Sequence, residues 1–287
     1  MGTTEVDRMK TAIVTDSTAY LPGPERHRLG IRMVPLSVTI DGKVYEEEVG
    51  LEADRFYDFV REGELPKTSQ PPIGKFADCF QALKKEGFDA AVVVTLSSGI
   101  SGTFTSAVQA GELVEGLDVH VFDSEIACMP QGFYALRAAK MARNNATPEA
   151  IMTELQEMKK SLRAYFMVDD LSHLQRGGRL SGAQALIGGL LQVKPLLHFK
   201  DKVIVPFEKI RTRKKAMNRI AELLAQDAGK GHLEAAIIHA NRAEDAEAWR
   251  EELSRKFPDV EFVVSYFGPV IGTHLGEGAM GLGWVKK

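Results

Sequence analysis

Cysteine is scarce in this chain: two thiols, Cys79 and Cys128, stand among 287 residues with no C-x-x-C spacing between them. A disulfide framework and a cysteine-based zinc site are therefore not expected, and a reduced, cytoplasmic setting fits best. Long apolar runs are missing too. No stretch approaches the roughly 18 consecutive apolar residues of a membrane-spanning helix, and Met1 to Lys10 is too polar for a signal peptide. Met1-Gly2 does not open a myristoylation signal, because Val6 stands where Ser or Thr is required. No excess of one charge exists either. Thirty-six basic residues face 39 acidic ones, a net charge of −3. That leaves no field to gather phosphate backbones, so nucleic-acid binding and integral membrane association are not expected. No Gly-Lys-Ser/Thr completes a P-loop and no G-x-G-x-x-G opens a helix after the first strand, so no nucleotide cofactor is expected. His27, His120, His173, His198, His232 and His239 show no i,i+3 or i,i+4 pairing, and no metal site is expected.

What is present is an alternation of short apolar runs with helical periodicities. Thr11 to Thr15 reads as a buried strand ending at Asp16-Ser17-Thr18, itself a turn and cap, and Ile31 to Ile40 as a strand region closed at Asp41-Gly42. A helix over Leu51 to Glu62 stops at Gly63 and Pro66. Helices at Gly74 to Glu86, Thr103 to Val114 and Gln131 to Asn144 then alternate with strands at Ala90 to Leu96 and Val119 to Phe122. This order predicts a mainly parallel, Rossmann-like sheet with ligands at the carboxyl ends of its strands. Thr147 and Pro148 cap and open a further helix running to about Leu162. Beyond Ala164 the texture becomes α+β. A strand at Tyr165 to Val168 leads to a short helix broken at Gly177-Gly178 and an apolar Gly-rich stretch, Ala183 to Leu191. A hairpin of Pro195 to Phe199 with Val203 to Phe207 and a helix from Thr212 to Gln226 follow. A β-α-β unit spans Ala235 to Tyr266. The expectation is an α/β protein of two α/β domains, 10–163 and 164–287, with a ligand between them.

Three segments rich in hydroxyls and glycines look built to hold an anion. Thr68-Ser69 precedes Gln70-Pro71-Pro72, where proline removes backbone donors and leaves the hydroxyls free, although a helix cap would also explain them. The turn from Ser97 to Thr103 offers Ser97, Ser98, Ser101 and Thr103 with Gly99 and Gly102, more hydroxyls than capping needs, just ahead of a helix N-terminus. Gly268 to Gly276 reads as a third loop, in which Gly272 and Thr273 bracket His274, a side chain able to donate to an acid group. Arg176 and Arg179 flank Gly177-Gly178, where a guanidinium could pair with a carboxylate or cap a helix. Arg211, Arg213, Lys214, Lys215 and Arg219 read as a solvated helix face with room for a docking partner. Gly99-Ile100-Ser101-Gly102-Thr103 lacks the final glycine of a nucleophile elbow.

Taken together, Thr15-Asp16-Ser17-Thr18, Thr68-Ser69-Gln70-Pro71, Ser97-Ser98 with Ser101-Gly102-Thr103, Gly177-Gly178-Arg179 and Gly268-Pro269-Val270-Ile271-Gly272-Thr273-His274 resemble the DegV family in order and spacing. The resemblance implies two α/β domains enclosing a fatty acid, its carboxylate on loop hydroxyls and its tail in an apolar tunnel. It implies a carrier without chemistry of its own or cofactor, which presents the acid to a fatty acid kinase for acyl phosphate formation in phospholipid synthesis. By motif position Thr68 and Ser98, with Ser69 or Ser101, would touch the carboxylate, and His274 and Arg179 would complete its polar surroundings. Arg211 would meet the kinase. Glu277 departs from the proline that such members commonly carry there. Candidates for the tunnel wall are Phe76, Ile100, Phe104, Leu186, Ile187 and Phe267. Two other readings stand beside this one: a serine-dependent hydrolase of acyl esters using Ser98 or Ser101 with His274 as base, and a sensor of small anions.

Overall fold

The computed structural model describes residues 9–62, 65–181 and 194–287; the Gly-rich stretch 183–191, with Leu186 and Ile187, lies outside them, as does Gly63. Its first sheet grows from two apolar runs that are buried end to end, β1 (Thr11–Asp16) and, further along, Ala90–Thr95. Strands this uniformly apolar need cover on both faces, and a parallel sheet between helix layers supplies it. After a 3-10 turn at Ser17–Ala19 come α1 (Gly23–Leu29), β2 (Ile31–Val34), β3 (Ser37–Ile40), β4 (Lys43–Glu46) and α2 (Ala53–Glu62). Then follow β5 (Lys67–Ser69), α3 (Ile73–Lys85), β6 (Ala90–Thr95), α4 (Thr103–Glu112), β7 (Asp118–Asp123), α5 (Met129–Arg143) and α6 (Pro148–Ser161). Strands β2-β1-β6-β7 form the parallel sheet. Side chains alternate across it: Ala12, Val14, Ala91 and Val93 pack with Phe76, Phe80 and Ala107 of α3 and α4, while Ile13, Val92 and Val94 pack with Phe133 and Tyr134 of α5.

The run from Ile31 to Ile40 is two strands rather than one. Pro35 interrupts it, since proline offers no donor to a ladder. β2 stays in the parallel sheet, and β3 leaves to form a small antiparallel sheet with β4 and β5. Thr68-Ser69, expected in a loop, is thus part of β5, with Thr68 opposite Val38 and Ser69 opposite Ser37.

The remainder builds a second layer: β8 (Arg163–Met167), α7 (Ser172–Arg176), β9 (Leu196–Lys200), β10 (Val203–Glu208), α8 (Arg213–Asp227), β11 (Leu233–His239), α9 (Ala243–Lys256), β12 (Val260–Tyr266), α10 (Pro269–Leu275) and β13 (Met280–Lys286). Strand order is β10-β9-β8-β13-β11-β12, antiparallel except for β11 with β12. One face packs Trp284, Leu282 and Ile237 with Ile220 and Leu224 of α8 and Trp249 and Leu253 of α9. The opposite face presents Ala236, Ile238, Phe166 and Val285 to the core that also holds α5 and α6. The loop expected at Gly268 to Gly276 is largely helix α10. Pro269 opens it, and Gly272 lets it press on α2, where an added Cβ would lie 2.5 Å from Tyr57 Oη and 3.0 Å from Phe56 Cε1. Among the described residues no helix is long and apolar enough to cross a membrane.

Candidate functional site

Between the carboxyl ends of β2, β6 and β7 and the inner face of the six-stranded sheet lies a cavity of about 340 Å³, within the size range of ligand pockets. Leu36, Leu96, Ile126, Ala127 and Cys128 line it from one side, and Phe166, Phe199, Ile204, Ile238 and Gly281 from the other. Its polar lining is contiguous. Thr68, Ser69 and Gln70 are sequential, the Gln70 amide packs directly on Gly102 where a side chain would collide with it, and Ser101 is next in the chain. Arg179 donates through Nε to Ile100 O at 3.2 Å and through Nη1 to Gly177 O at 2.5 Å. No carboxylate lines the cavity among the described residues, so the Arg179 guanidinium is its one charged side chain.

His274 reaches this cluster because α10 is held at its start. Val270 N donates to Glu47 Oε1 at 2.7 Å, Ile271 N to Tyr20 Oη at 3.3 Å, and Tyr57 Oη to Phe267 O at 2.7 Å. One helical turn on, His274 Nε2 lies 2.8 Å from Thr68 Oγ1. Burial, then the nearby Arg179 and His173, depress its pKa from 6.5 to about 4, so the ring is neutral at neutral pH.

The other hydroxyls are placed differently from one another. Ser101 lines the cavity and shares a 2.9 Å hydrogen bond with the buried Thr103 Oγ1. Ser97 and Ser98 do not line it. Ser97 Oγ donates to Lys202 O at 2.6 Å, and Ser98 Oγ donates to Asp123 Oδ2 at 2.5 Å while Ser98 N donates to Asp123 Oδ1 at 3.1 Å. Lys202 Nζ completes the cluster, 2.9 Å from Asp123 Oδ2. Burial alone would raise the Asp123 carboxyl, but the bonds from Ser98 and Lys202 outweigh it and hold it below its usual range. These serines thus pin the tip of the β9–β10 hairpin, whose Asp201 and Lys202 both adopt left-handed φ, onto the turn after β6. Gly272 and Thr273 lie on α10 outside the lining, with Thr273 Oγ1 donating back to Pro269 O at 2.8 Å.

Of the expected tunnel residues, Ile100 and Phe267 line the cavity. Phe76 of α3 packs instead on the parallel sheet beside α4, and Phe104 is not in the wall. Glu277 also lies outside the lining, where its Oε1 accepts from Asn241 Nδ2 at 2.8 Å. The basic run is only partly a solvated face. Arg211, Lys214 and Lys215 are exposed, whereas Arg213 donates to Gly278 O at 2.6 Å and Arg219 pairs with Glu208 at 2.8 Å. Asp118, His120 and Glu149 gather ligand atoms within 4.8 Å of one another at the surface, a grouping that histidine spacing alone did not reveal.

Sequence reasoning missed Glu47. It is fully buried and accepts from Ser17 Oγ at 2.5 Å, Tyr20 Oη at 2.9 Å and Val270 N, tying the turn after β1 to α10.

Comparison with known proteins agrees with this architecture. A profile of the DegV family, described as uncharacterised proteins, matches residues 10–287. Protein DegV of Bacillus subtilis is 59% identical over 282 residues, covering 97% of this chain and 100% of that one. The chain belongs to the DegV family. A crystal structure of DegV from Bacillus subtilis, described as a fatty acid binding protein, superposes with a TM-score of 0.93 at 58% identity, covering 97% of this chain and 100% of that one. A fatty acid-binding DegV family protein from Thermus thermophilus gives 0.90 at 33% identity, with 97% and 100% covered. A stearic acid-binding protein from Eubacterium ventriosum gives 0.86 at 27% identity, with 97% and 98% covered.

Proposed function

We propose that this protein binds a long-chain fatty acid between domains 10–163 and 164–287, and hands it to a fatty acid kinase in the cytosol without transforming it. The observation that carries this reading is a lone guanidinium gathered with the hydroxyls of Thr68, Ser69 and Ser101 and with Gln70 and His274 in a cavity whose remaining lining is mostly apolar. A sixteen-carbon tail brings roughly 15 buried carbons at about 0.8 kcal/mol each, on the order of 12 kcal/mol before the costs of association. The tail supplies affinity. The carboxylate must be fully hydrogen-bonded to leave water without a penalty of several kcal/mol, and Thr68, Ser69, Ser101 and Arg179 are the donors that meet it. With one guanidinium and three hydroxyls as donors, the acid is not ringed by ion pairs, which leaves an oxygen for phosphorylation by the partner. The exposed Arg211, just ahead of α8, is the residue proposed to meet that partner.

The hydrolase reading lacks its geometry. Ser98 bonds to Asp123 and Ser101 to Thr103, His274 Nε2 is bonded to Thr68, and among the described residues His274 Nδ1 has no orienting acceptor. Thr68→Val, which keeps the shape and deletes the hydroxyl, is expected to weaken binding of hexadecanoic acid by about 2 kcal/mol, roughly thirtyfold, in a fluorescence displacement titration. Ser98→Ala should leave that affinity within about twofold and lower the melting temperature instead, since it removes a half-buried bond to Asp123. Equal losses of affinity in both variants would contradict the assignment.

A further inference from the structure

Among the described residues the His274 side chain makes one hydrogen bond, through Nε2 to Thr68 Oγ1, while its Nδ1 is buried without a partner there. What faces Nδ1 is Gly177. A Cβ built on this glycine would collide with Nδ1 and lie 3.1 Å from Cε1, so in the native residue a Cα–H occupies that direction. We propose that Gly177, by closing against Nδ1, holds His274 in the Nε2–H tautomer, so that the Thr68 hydroxyl must offer its own proton to the cavity and the headgroup site takes an ionised acid over the corresponding alcohol. This rests on the reading of the cavity as a fatty acid site.

The alternatives are worse. A proton on Nδ1 would be a buried donor aimed at a C–H, the arrangement that folded proteins avoid most strictly. It would also leave Nε2 as the acceptor, and Thr68 would then spend its proton on the ring and turn lone pairs toward the ligand, which repel a carboxylate. Turning the ring over would set carbon against Thr68 and give up its hydrogen bond. With Nε2–H donating, one lone pair of Thr68 Oγ1 is filled and its O–H is left for the cavity. Arg179 adds donors with no acceptor capacity. A carboxylate brings two acceptor oxygens and no proton to such a site, while a primary alcohol brings one oxygen and a proton of its own. The ring is neutral at neutral pH, because burial and Arg179 disfavour the imidazolium, so tautomer rather than charge sets the polarity. Gly177 has helical φ and ψ, −72° and −12°, which any residue adopts, so its small size matters through contact with His274 and not through backbone freedom.

The test combines histidine-selective 15N NMR with binding. In wild-type protein at neutral pH, the His274 resonances, assigned by their loss in His274→Gln, should show the Nε2–H tautomer with and without hexadecanoic acid. An Nδ1–H tautomer or an imidazolium in the acid-loaded protein would overturn the proposal. Gly177→Ala should displace the ring, mix the tautomers and reduce the preference for hexadecanoic acid over hexadecan-1-ol by about tenfold or more. A folded Gly177→Ala protein with the wild-type tautomer and preference would overturn it as well. Should that variant fail to fold, Thr68→Val gives the second reading: its acid-over-alcohol preference should fall by a similar factor, and an unchanged preference counts against the proposal. Wild-type protein that binds neither compound would sink the cavity reading, and the tautomer would still decide the role of Gly177.

Discussion

Glu47→Ala is expected to destabilise the protein by about 3 kcal/mol or more, because it strands three buried donors at a cost of roughly 1 to 3 kcal/mol each. Ser17 Oγ, Tyr20 Oη and Val270 N all lose their acceptor at once. Two of these groups belong to the turn after β1 and one to α10, so the loss falls on the contact between the two layers. Denaturant unfolding checks the magnitude, and a midpoint within experimental error of wild type would contradict it. The same residue gives the protein a pH dependence of defined sign. Burial raises the Glu47 carboxyl from 4.5 to about 8, against the opposing hydrogen bonds from Ser17, Val270 and Tyr20. The folded state therefore keeps a proton that the unfolded chain releases above 4.5. Stability from this group is fully present below 4.5 and is lost as pH rises through about 8. His274, with its depressed pKa, acts the other way and only between 6.5 and about 4, where stability falls as the solution becomes more acidic. Wild-type melting temperature should decline from about pH 6 to about pH 9, and Glu47→Gln, which retains the shape without the titration, should flatten that decline. A wild-type profile without slope over that range would show that Glu47 ionises normally.

Filling the cavity from its wall is expected to have the largest effect on binding. Ala127 is buried and lines the wall between Ile126 and Cys128, beside the proposed ligand site. In Ala127→Trp the indole should take up room that the acyl chain needs. Excluding five methylenes forfeits about 4 kcal/mol, close to a thousandfold in affinity. The folded state should lose far less than the complex, about 1 to 3 kcal/mol at most from local overpacking. Displacement titration with hexadecanoic acid, alongside thermal melting, separates the two effects. Undiminished affinity in a folded Ala127→Trp protein would place the ligand elsewhere.

The sequence revealed those parts of the fold that depend on local pattern. β1 and β6 were legible as continuous apolar runs, and the cap of α6 as Thr147 followed by Pro148, with Thr147 Oγ1 accepting from Ala150 N at 3.3 Å. The β9–β10 hairpin was legible from two apolar runs flanking a polar turn. Other parts depend on contacts distant in the chain. β5 is a three-residue strand followed by prolines, too short to show a period, and only pairing with β3 makes it a strand. α10 contains Gly272, a residue that ordinarily disfavours helix, but its small size admits Phe56 and Tyr57, as Gly268 just ahead of the helix admits the ring of Tyr20.

At the cavity, hydroxyl-rich composition marked segments that reach the wall without telling inward from outward. Thr68, Ser69 and Ser101 line the cavity, whereas Ser97 and Ser98 face the tip of the β9–β10 hairpin and Asp123. Nothing in the residues 97–101 alone announces that Lys202, far along the chain, will be waiting. Glu47 was hidden for the opposite reason. Within Glu46-Glu47-Glu48 it resembles a solvated charge run, and its burial follows from Ser17, Tyr20 and α10 closing over it.

Native mass spectrometry of the protein purified gently from cells, followed by denaturation to identify what is released, addresses the central claim most directly. The account predicts a one-to-one complex with a long-chain fatty acid, lost in Ala127→Trp and weakened in Thr68→Val. A wild-type protein that emerges without lipid, and that takes up no hexadecanoic acid when offered it, would contradict the assignment of this cavity.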